Sequence, residues 1–255
     1  MGNPHRADAV TALVDRDWGA AADAFTLAAH HDLGGEVRTD ADETGGNWTV
    51  LDPGRRDRPA FGLSLLCRAA LCYRLAGADD RARLRALTVI PLAIDGRDHV
   101  RTGVGRGVSQ EFAADARAVR GDTDGAESAY GRAAALYRDH APADPLDAVA
   151  APTFEAANRL LLHASRNTGL DVEWDDLHGD DPSEAEYLAH RAAYKRRTLP
   201  RVVDRVLDAG LLHVPRGTTE YNNDTYRCPD CGDDDVNWVA GETVCLHCSV
   251  RVVEQ

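Results

Sequence analysis

The sequence predicts a mainly α protein of helical hairpins that ends in a small β module. Apolar residues recur at helical spacing through most of residues 7–210. Clusters of Gly, Asp and Pro separate these stretches, as turns between helices do. After residue 223 the pattern changes to short Val-rich runs between two C-x2-C pairs, which favours small strands.

The chain has 255 residues, enough for one sizeable domain and a small module. Its formal net charge is −13, from 42 acidic and 29 basic residues. Asp outnumbers Glu by 31 to 11, and Lys195 is the single lysine beside 28 arginines. This composition resembles that of acidic haloarchaeal proteins, and the resemblance implies a halophilic surface that stays hydrated in concentrated salt.

The N-terminal residues lack the apolar core of a signal peptide, and no window reaches the roughly 18 apolar residues of a membrane span. We therefore expect a cytoplasmic protein without a membrane partner. Cys67 and Cys72 lie five positions apart in an apolar helical stretch, so they point to different faces. We expect both to be buried free thiols in a reducing compartment.

Residues 1–170 are predicted to form the helical-hairpin domain. Asp17 is expected to cap the second helix, and Pro91 is expected to end a later one. Residues 34–59 interrupt the helical pattern, either as a β-hairpin insertion near 35–52 or as a long loop. Residues 95–107 and 141–152 are predicted connections. The predicted helices cover residues 7–15, 17–31, 61–90 with a turn at 77–80, 109–120, 123–137 and 153–165.

One spacing pattern of small and larger apolar residues, which we call the recurring phrase, occurs three times. The copies are Ala21-x3-Phe25-x2-Ala28, Ala82-x3-Ala86-x2-Val89 and Ala126-x3-Tyr130-x2-Ala133. The phrase resembles the second helix of a tetratricopeptide repeat, in which small residues allow close approach and an aromatic fills the gap. The resemblance implies stacked hairpins. Ordinary amphipathic packing is the alternative, since the copies are not about 34 residues apart and the closing Pro is missing.

A charge boundary follows the hairpins. Residues 171–186 hold eight carboxylates and no Lys or Arg, which indicates an acidic linker. Residues 187–216 hold seven basic residues and are predicted to form basic amphipathic helices. Arg197, Arg201 and Arg205 share a helix face if Pro200 leaves the helix straight, and are candidates for phosphate or partner contact. In the alternative, the basic helix pairs with the acidic segment.

The C-terminal residues contain Cys228-Pro-Asp-Cys231 and Cys245-Leu-His-Cys248, with thirteen residues between the pairs. This spacing is typical of a four-thiolate metal site. Residues 236–240 and 243–253 are predicted strands, and residues 217–223 a linker. Residues 224–255 therefore resemble a zinc ribbon, and the resemblance implies structural zinc on Cys228, Cys231, Cys245 and Cys248, with iron less favoured. We expect the metal to supply most of the folding free energy of this segment, and its core to be separate from the helices.

No catalytic constellation is predicted. The glycines of residues 101–107 do not form a P-loop, so a flexible loop is favoured over an anion site. The rubrerythrin family also joins a helical bundle to paired cysteines, but its E-x-x-H pairs are missing, since Glu186 and His190 are four apart.

Three functional classes remain. The leading hypothesis is a non-catalytic, intracellular protein-interaction or regulatory adaptor, in which the hairpins form a groove for a partner protein. The second is a nucleic-acid-associated protein of transcription or translation that uses the basic helix. The third is an enzyme with an unrecognised site, which is disfavoured because four cysteines leave no open position on a metal.

Overall fold

The structure, a computed structural model, describes residues 3–34, 57–170, 172, 173 and 175–255. The described chain is mainly α with small antiparallel strands at its C-terminal end, as the sequence predicts. The β-hairpin predicted near 35–52 lies outside the described residues. The helices are α1 (Pro4–Val14), α2 (Trp18–Gly34), α3 (Asp57–Leu75), α4 (Asp79–Asp95), α5 (Val104–Val119), α6 (Thr123–Asp139), α7 (Pro145–Ala150), α8 (Pro152–Ala164) and α9 (Glu186–Ala209).

The three helical hairpins α1–α2, α3–α4 and α5–α6 each contain the same type of turn. In each turn one residue has a positive φ, 56° at Arg16, 69° at Gly77 and 81° at Gly121. The next amide donates to the carbonyl five residues earlier, over 2.9 Å from Asp17, 2.8 Å from Ala78 and 2.9 Å from Asp122. This is the hydrogen-bond pattern of a Schellman C-cap, so each first helix ends in the same way.

The predicted cap at Asp17 is confirmed. Its Oδ1 accepts a hydrogen bond of 2.9 Å from the amide of Ala20 in the first turn of α2. Asp122 holds the same position before α6 and accepts from the amide of Gly125 over 3.1 Å.

The recurring phrase lies at the same place in each hairpin, on the second helices α2, α4 and α6. All nine of its residues are buried, with at most 3% of any of them exposed. Successive hairpins pack against each other through α2 with α3 and α4 with α5. The phrase therefore marks the faces by which the second helices contact their neighbours.

The last two long helices pack on the second and third hairpins. α8 packs against α3 and α5, and α9 packs against α5 and α6. The open groove expected from stacked hairpins is thus filled along these helices by the chain itself.

Neither internal proline ends a helix. Pro91 lies inside α4 and Pro200 inside α9, a single helix of 24 residues. Each proline removes one amide donor, which frees the carbonyl four residues earlier. That residue is Leu87 for Pro91 and Arg196 for Pro200, and both are exposed, so water can satisfy the carbonyl.

Three predicted connections contain regular structure. Residues Gly96–Val100 form a π-helical turn, so most of the predicted loop at 95–107 is helical. The connection at 141–152 contains α7. In the acidic segment, Asp175–Leu177 form a 3-10 turn whose Leu177 is fully buried, and His178 stacks on Tyr187 of α9. This part of the segment packs on the fold, unlike a solvated linker.

The strands form two small antiparallel units. One sheet has the order β1 (Thr218–Glu220), β3 (Val236–Val239) and β4 (Glu242–Cys245), and β2 (Tyr226–Arg227) pairs with β5 (Val253–Glu254). In the first sheet, Thr218 lies opposite Trp238 and Val236 opposite Cys245. β1 lies in the predicted linker, so the sheet begins before residue 224.

Candidate metal centre

Two turns of the same form carry the four C-terminal cysteines. In the first, Gly232 has φ 76° and its amide donates to the carbonyl of Cys228 over 3.0 Å. In the second, Ser249 has φ 60° and its amide donates to the carbonyl of Cys245 over 3.0 Å. A residue with positive φ after each C-x2-C pair therefore directs both pairs toward one point.

The four sulfurs lie within 4.8 Å of one another. The Sγ atom of Cys248 is 3.3 Å from that of Cys228 and 3.7 Å from that of Cys231, which in turn is 3.6 Å from that of Cys245. Four sulfurs at about 2.3 Å from a metal, in a tetrahedron, would be about 3.8 Å apart. The site therefore has the dimensions to bind one metal ion, and the predicted residues lie together.

The cysteines differ in acidity. Burial opposes ionisation of Cys228, but hydrogen bonds from the Cys231 amide and the Cys248 side chain outweigh it and lower the pKa of Cys228 to about 7. Burial raises the pKa of Cys245 to about 11 and also raises the pKa of Cys248. Because a metal binds thiolates, occupation of the site releases protons and depends on pH.

His247 lies inside the second pair but not among the sulfurs. Its side chain is half exposed, and Nε2 lies 3.1 Å from Oδ2 of Asp235. The imidazole therefore pairs with a surface carboxylate and lies outside the sulfur cluster.

The metal centre is docked on the helices. At the end of α8, Arg166 donates to the carbonyl of Leu246 over 3.1 Å and Asn167 donates to that of His247 over 2.7 Å. On the other side, Thr11 of α1 donates to Glu242 over 2.9 Å. Val244 of β4 is fully buried in the same core as the helices. The expectation of a separate core is therefore wrong, because Val244 lies in the helical core and residues of α1 and of the segment after α8 donate to the C-terminal module.

Comparison with family models, with curated proteins and with solved structures gives no match. None of the described helices has both the length and the apolar character needed to cross a membrane. A functional interpretation therefore depends on the geometry of this chain.

The predicted arginine face of α9 is exposed. Arg197, Arg201 and Arg205 lie on one continuous helix, and within the described chain none of them forms an ion pair. Asp204 and Asp208 are also exposed and, by helical spacing, share this face. Three guanidinium groups are thus interleaved with two carboxylates, which weakens the attraction of the face for phosphates.

A buried charge network joins α9 to α5, and sequence reasoning missed it. Arg191 Nε lies 2.8 Å from Oε2 of Glu111, and Lys195 Nζ lies 2.7 Å from Oδ2 of Asp115. The four side chains are at most 1% exposed. Arg191 and Lys195 of α9 thus pair with carboxylates of α5, and Arg196 pairs with Glu127 of α6, so none of these three pairs with the predicted acidic segment.

Two tyrosines of α6 complete this network. Tyr130 donates to Oδ1 of Asp115 over 2.6 Å, and Tyr137 donates to Glu111. Burial opposes ionisation of Glu111, but Arg191 and Lys195 outweigh it and lower its pKa. Burial raises the pKa of Asp115 despite the adjacent Lys195. Because the network is closed to solvent, its position fits a structural role.

Proposed function

We propose that the protein is a non-catalytic, cytoplasmic interaction protein that binds a partner protein and carries structural zinc. The observation that supports it is an apolar stripe on the outer face of α4, formed by Leu84, Leu87 and Pro91. The side chains of Leu84 and Leu87 are exposed by 56% and 40%, and Pro91 is also exposed. Their i, i+3, i+7 spacing is the spacing of anchors in helix-in-groove recognition.

The stripe stands apart from the core face of the same helix. Ala82, Ala86 and Val89 face the core and are at most 3% exposed. Exposed apolar groups that are contiguous on a surface are typical of protein interaction sites. Since α8 and α9 pack against α3, α5 and α6, while α4 packs against α3 and α5, the outer face of α4 is the side that supports partner binding.

Zinc is the proposed metal. A closed shell of four cysteines is the arrangement of structural zinc sites, and it leaves no position for a reacting water. Thiolate ligands also fit a reducing compartment such as the cytoplasm. Elemental analysis of protein purified with reduced thiols should give one zinc per chain. Protein without metal would contradict this assignment, and visible absorption from iron–thiolate bonds would instead identify iron.

The stripe is tested with the double variant Leu84→Glu/Leu87→Glu. The control is Leu146→Glu, because Leu146 is similarly exposed, at 53%, but lies on α7. Affinity capture from the native host with quantitative mass spectrometry should recover one protein with the wild type and the control, and lose it with the double variant. Equal recovery by all three proteins would remove the stripe as the contact.

Nucleic-acid binding is the second candidate, supported by the continuous exposed face with Arg197, Arg201 and Arg205. Changing all three to Ser tests it by fluorescence anisotropy with labelled RNA and DNA at the working salt concentration. If the three arginines contact phosphates, the variant should bind nucleic acid more weakly than the wild type, and its affinity should depend less on the salt concentration. Affinity equal to that of the wild type would remove this candidate.

A further inference from the structure

A cavity of about 220 Å³ lies where α1, α3 and α8 meet the segment that leads into the C-terminal sheet. Buried apolar side chains line part of it, among them Val10, Phe25 and Leu65. Four arginines also line it, namely Arg6, Arg68, Arg159 and Arg216, and its described lining contains no Asp or Glu. The cavity is therefore apolar on one side and cationic on the other.

Two of these arginines already have carboxylate partners. Arg6 Nη2 lies 2.5 Å from Oδ2 of Asp32, and Arg159 pairs with Glu155. Both guanidinium groups also lie over the ring of Phe61. The distance from Cζ to the ring centroid is 5.6 Å for Arg6 and 5.1 Å for Arg159. These contacts hold the two cations at the edge of the cavity.

Arg68 has no carboxylate partner in the described part of the chain. It is only 8% exposed, and its Nη2 donates to the carbonyl of Arg159 over 2.8 Å. Its Nε, and the Oγ of the neighbouring Ser64, are buried without a hydrogen-bond partner among the described residues. Burial, with the charges of Arg159 and Arg6, lowers the pKa of Arg68 to about 9.

An uncompensated cation beside unpaired donors is costly unless an anion neutralises it. A guanidinium group presents two parallel donors to a carboxylate or a phosphate, and Ser64 adds a hydroxyl donor. The rim is accessible, because Arg159 and Arg216 are exposed. Arg216 donates to the hydroxyl of Tyr221 over 3.1 Å, and no carboxylate pairs with it within the described residues.

We propose that this cavity binds a small organic anion, a carboxylate or phosphate monoester with an apolar body. Arg68 and Ser64 bind the anionic group, while Phe25, Phe61 and Leu65 contact the apolar body. Arg159 and Arg216 attract the anion at the rim. The cavity is smaller than the roughly 300–1,000 Å³ of typical drug-sized pockets, so the ligand is the size of a substituted benzene ring or smaller. This site is separate from the metal centre and from the stripe on α4.

The test is isothermal titration calorimetry on the full-length, metal-loaded protein at constant ionic strength. The probes are phenyl phosphate, benzoate, inorganic phosphate and the neutral benzyl alcohol. We expect one of the two aromatic anions to bind at least tenfold more tightly than both benzyl alcohol and inorganic phosphate. The tighter of phenyl phosphate and benzoate then identifies the anionic group.

Arg68→Gln should weaken the binding of the tighter-binding aromatic anion at least tenfold. The control is Arg117→Gln, because Arg117 on α5 also donates to a backbone carbonyl, over 2.9 Å, but lies outside the cavity. If Arg68→Gln does not fold, Arg159→Gln and Arg216→Gln at the exposed rim should each weaken binding threefold or more. The proposal is overturned if no anion binds, if benzyl alcohol binds equally well, or if the cavity variants bind like the control.

Discussion

At the scale of single residues, the only lysine of the chain occupies a position that suits an ammonium group. Lys195 Nζ lies 2.7 Å from Asp115, 3.1 Å from Glu111 and 2.9 Å from the carbonyl of Ala157. Two hydrogen-bond acceptors and a third, charged oxygen surround one nitrogen in different directions, which suits an ammonium and not the planar fork of a guanidinium. The Glu111 contact is an ion pair without hydrogen-bond alignment.

Removing this lysine should destabilise the fold. We expect Lys195→Met to lower the free energy of unfolding by about 3–5 kcal/mol, because Glu111 and Asp115 would then share Arg191 as their one buried cation. Arg197→Met is the control, since Arg197 is exposed two residues later, and should change it by less than about 0.5 kcal/mol. Urea unfolding followed by circular dichroism measures both values, and equal effects would contradict the structural role of the network.

The cysteine cluster and the buried charge network differ in how far the sequence predicts them. The four cysteines were predicted because their spacing within each pair specifies the turn that brings the sulfurs together. The network was missed because charged residues are usually exposed, and the sequence does not show which helices meet. A signal was present, since Glu111 and Asp115 are four apart on α5 and Arg191 and Lys195 are four apart on α9. Each pair therefore shares a helix face.

At the scale of elements, the period of the apolar residues predicted which stretches form helices, but it did not predict where several of these helices end. Pro91 and Pro200 were expected to end or kink helices, but each lies in a continuous one. The cost of a proline is smaller where water can reach the freed carbonyl, and exposure follows from packing that the local sequence does not show.

The recurring phrase predicts which residues of α2 hold the hairpins together. Phe25 is 2% exposed, whereas Leu27, two residues later on the same helix, is 52% exposed. We expect Phe25→Ala to lower the free energy of unfolding by about 3 kcal/mol or more, and Leu27→Ala by less than about 0.5 kcal/mol. Chemical unfolding of the two variants side by side measures the difference. A loss at Phe25 as small as that at Leu27 would show that the phrase does not mark a packing face.

A buried histidine lies at the contact between α8 and the C-terminal module, and we expect it to make this contact less stable at acidic pH. His163 Nε2 donates to the carbonyl of His213 over 2.6 Å. Burial, with the charges of Arg68 and Arg166, holds the pKa of His163 well below its usual value. Between the unfolded and folded pKa values the unfolded chain binds the extra proton, so this contribution is full above about pH 6.5 and falls as the pH decreases.

We expect the free energy of unfolding to decrease by up to about 1.4 kcal/mol per pH unit below pH 6.5 on account of His163. In His163→Gln, an amide can still donate to the carbonyl but does not titrate, so the slope should be shallower. Urea unfolding of both proteins at several pH values from 7.5 to 5 measures the slopes. Parallel pH profiles would assign the acid sensitivity to other groups.

At the scale of the whole molecule, the predicted fold class was confirmed, but the sequence did not show how its elements are arranged. The hairpins and the C-terminal strands follow from local patterns. The placement of α8 and α9 over α3, α5 and α6, and of the C-terminal module against α1 and the end of α8, depends on contacts between residues far apart in the chain. Apolar periodicity shows that a face is buried, but not which element buries it.

This arrangement changes what removal of the metal should do. We expect the proposed zinc to supply most of the folding free energy of so small a module, so chelation should unfold residues 217–255. Since Arg166 and Asn167 donate to carbonyls of the second cysteine pair and Val244 shares the helical core, the effect should extend beyond the module. We therefore expect amide exchange to rise also at the end of α8 and in the last turn of α1, and to stay slow in α5 and α6.

Hydrogen–deuterium exchange with mass spectrometry, before and after chelation and after zinc is restored, measures this directly. Cys231→Ser should reproduce the chelated pattern. His247→Ala is the matched control, because His247 lies within the second cysteine pair but its half-exposed imidazole contacts Asp235 and not the sulfurs, so this variant should keep the metal and the slow exchange. A rise confined to residues 217–255 would show that the module folds independently of the helices, because their contacts would then contribute little to holding α1 and α8 in place.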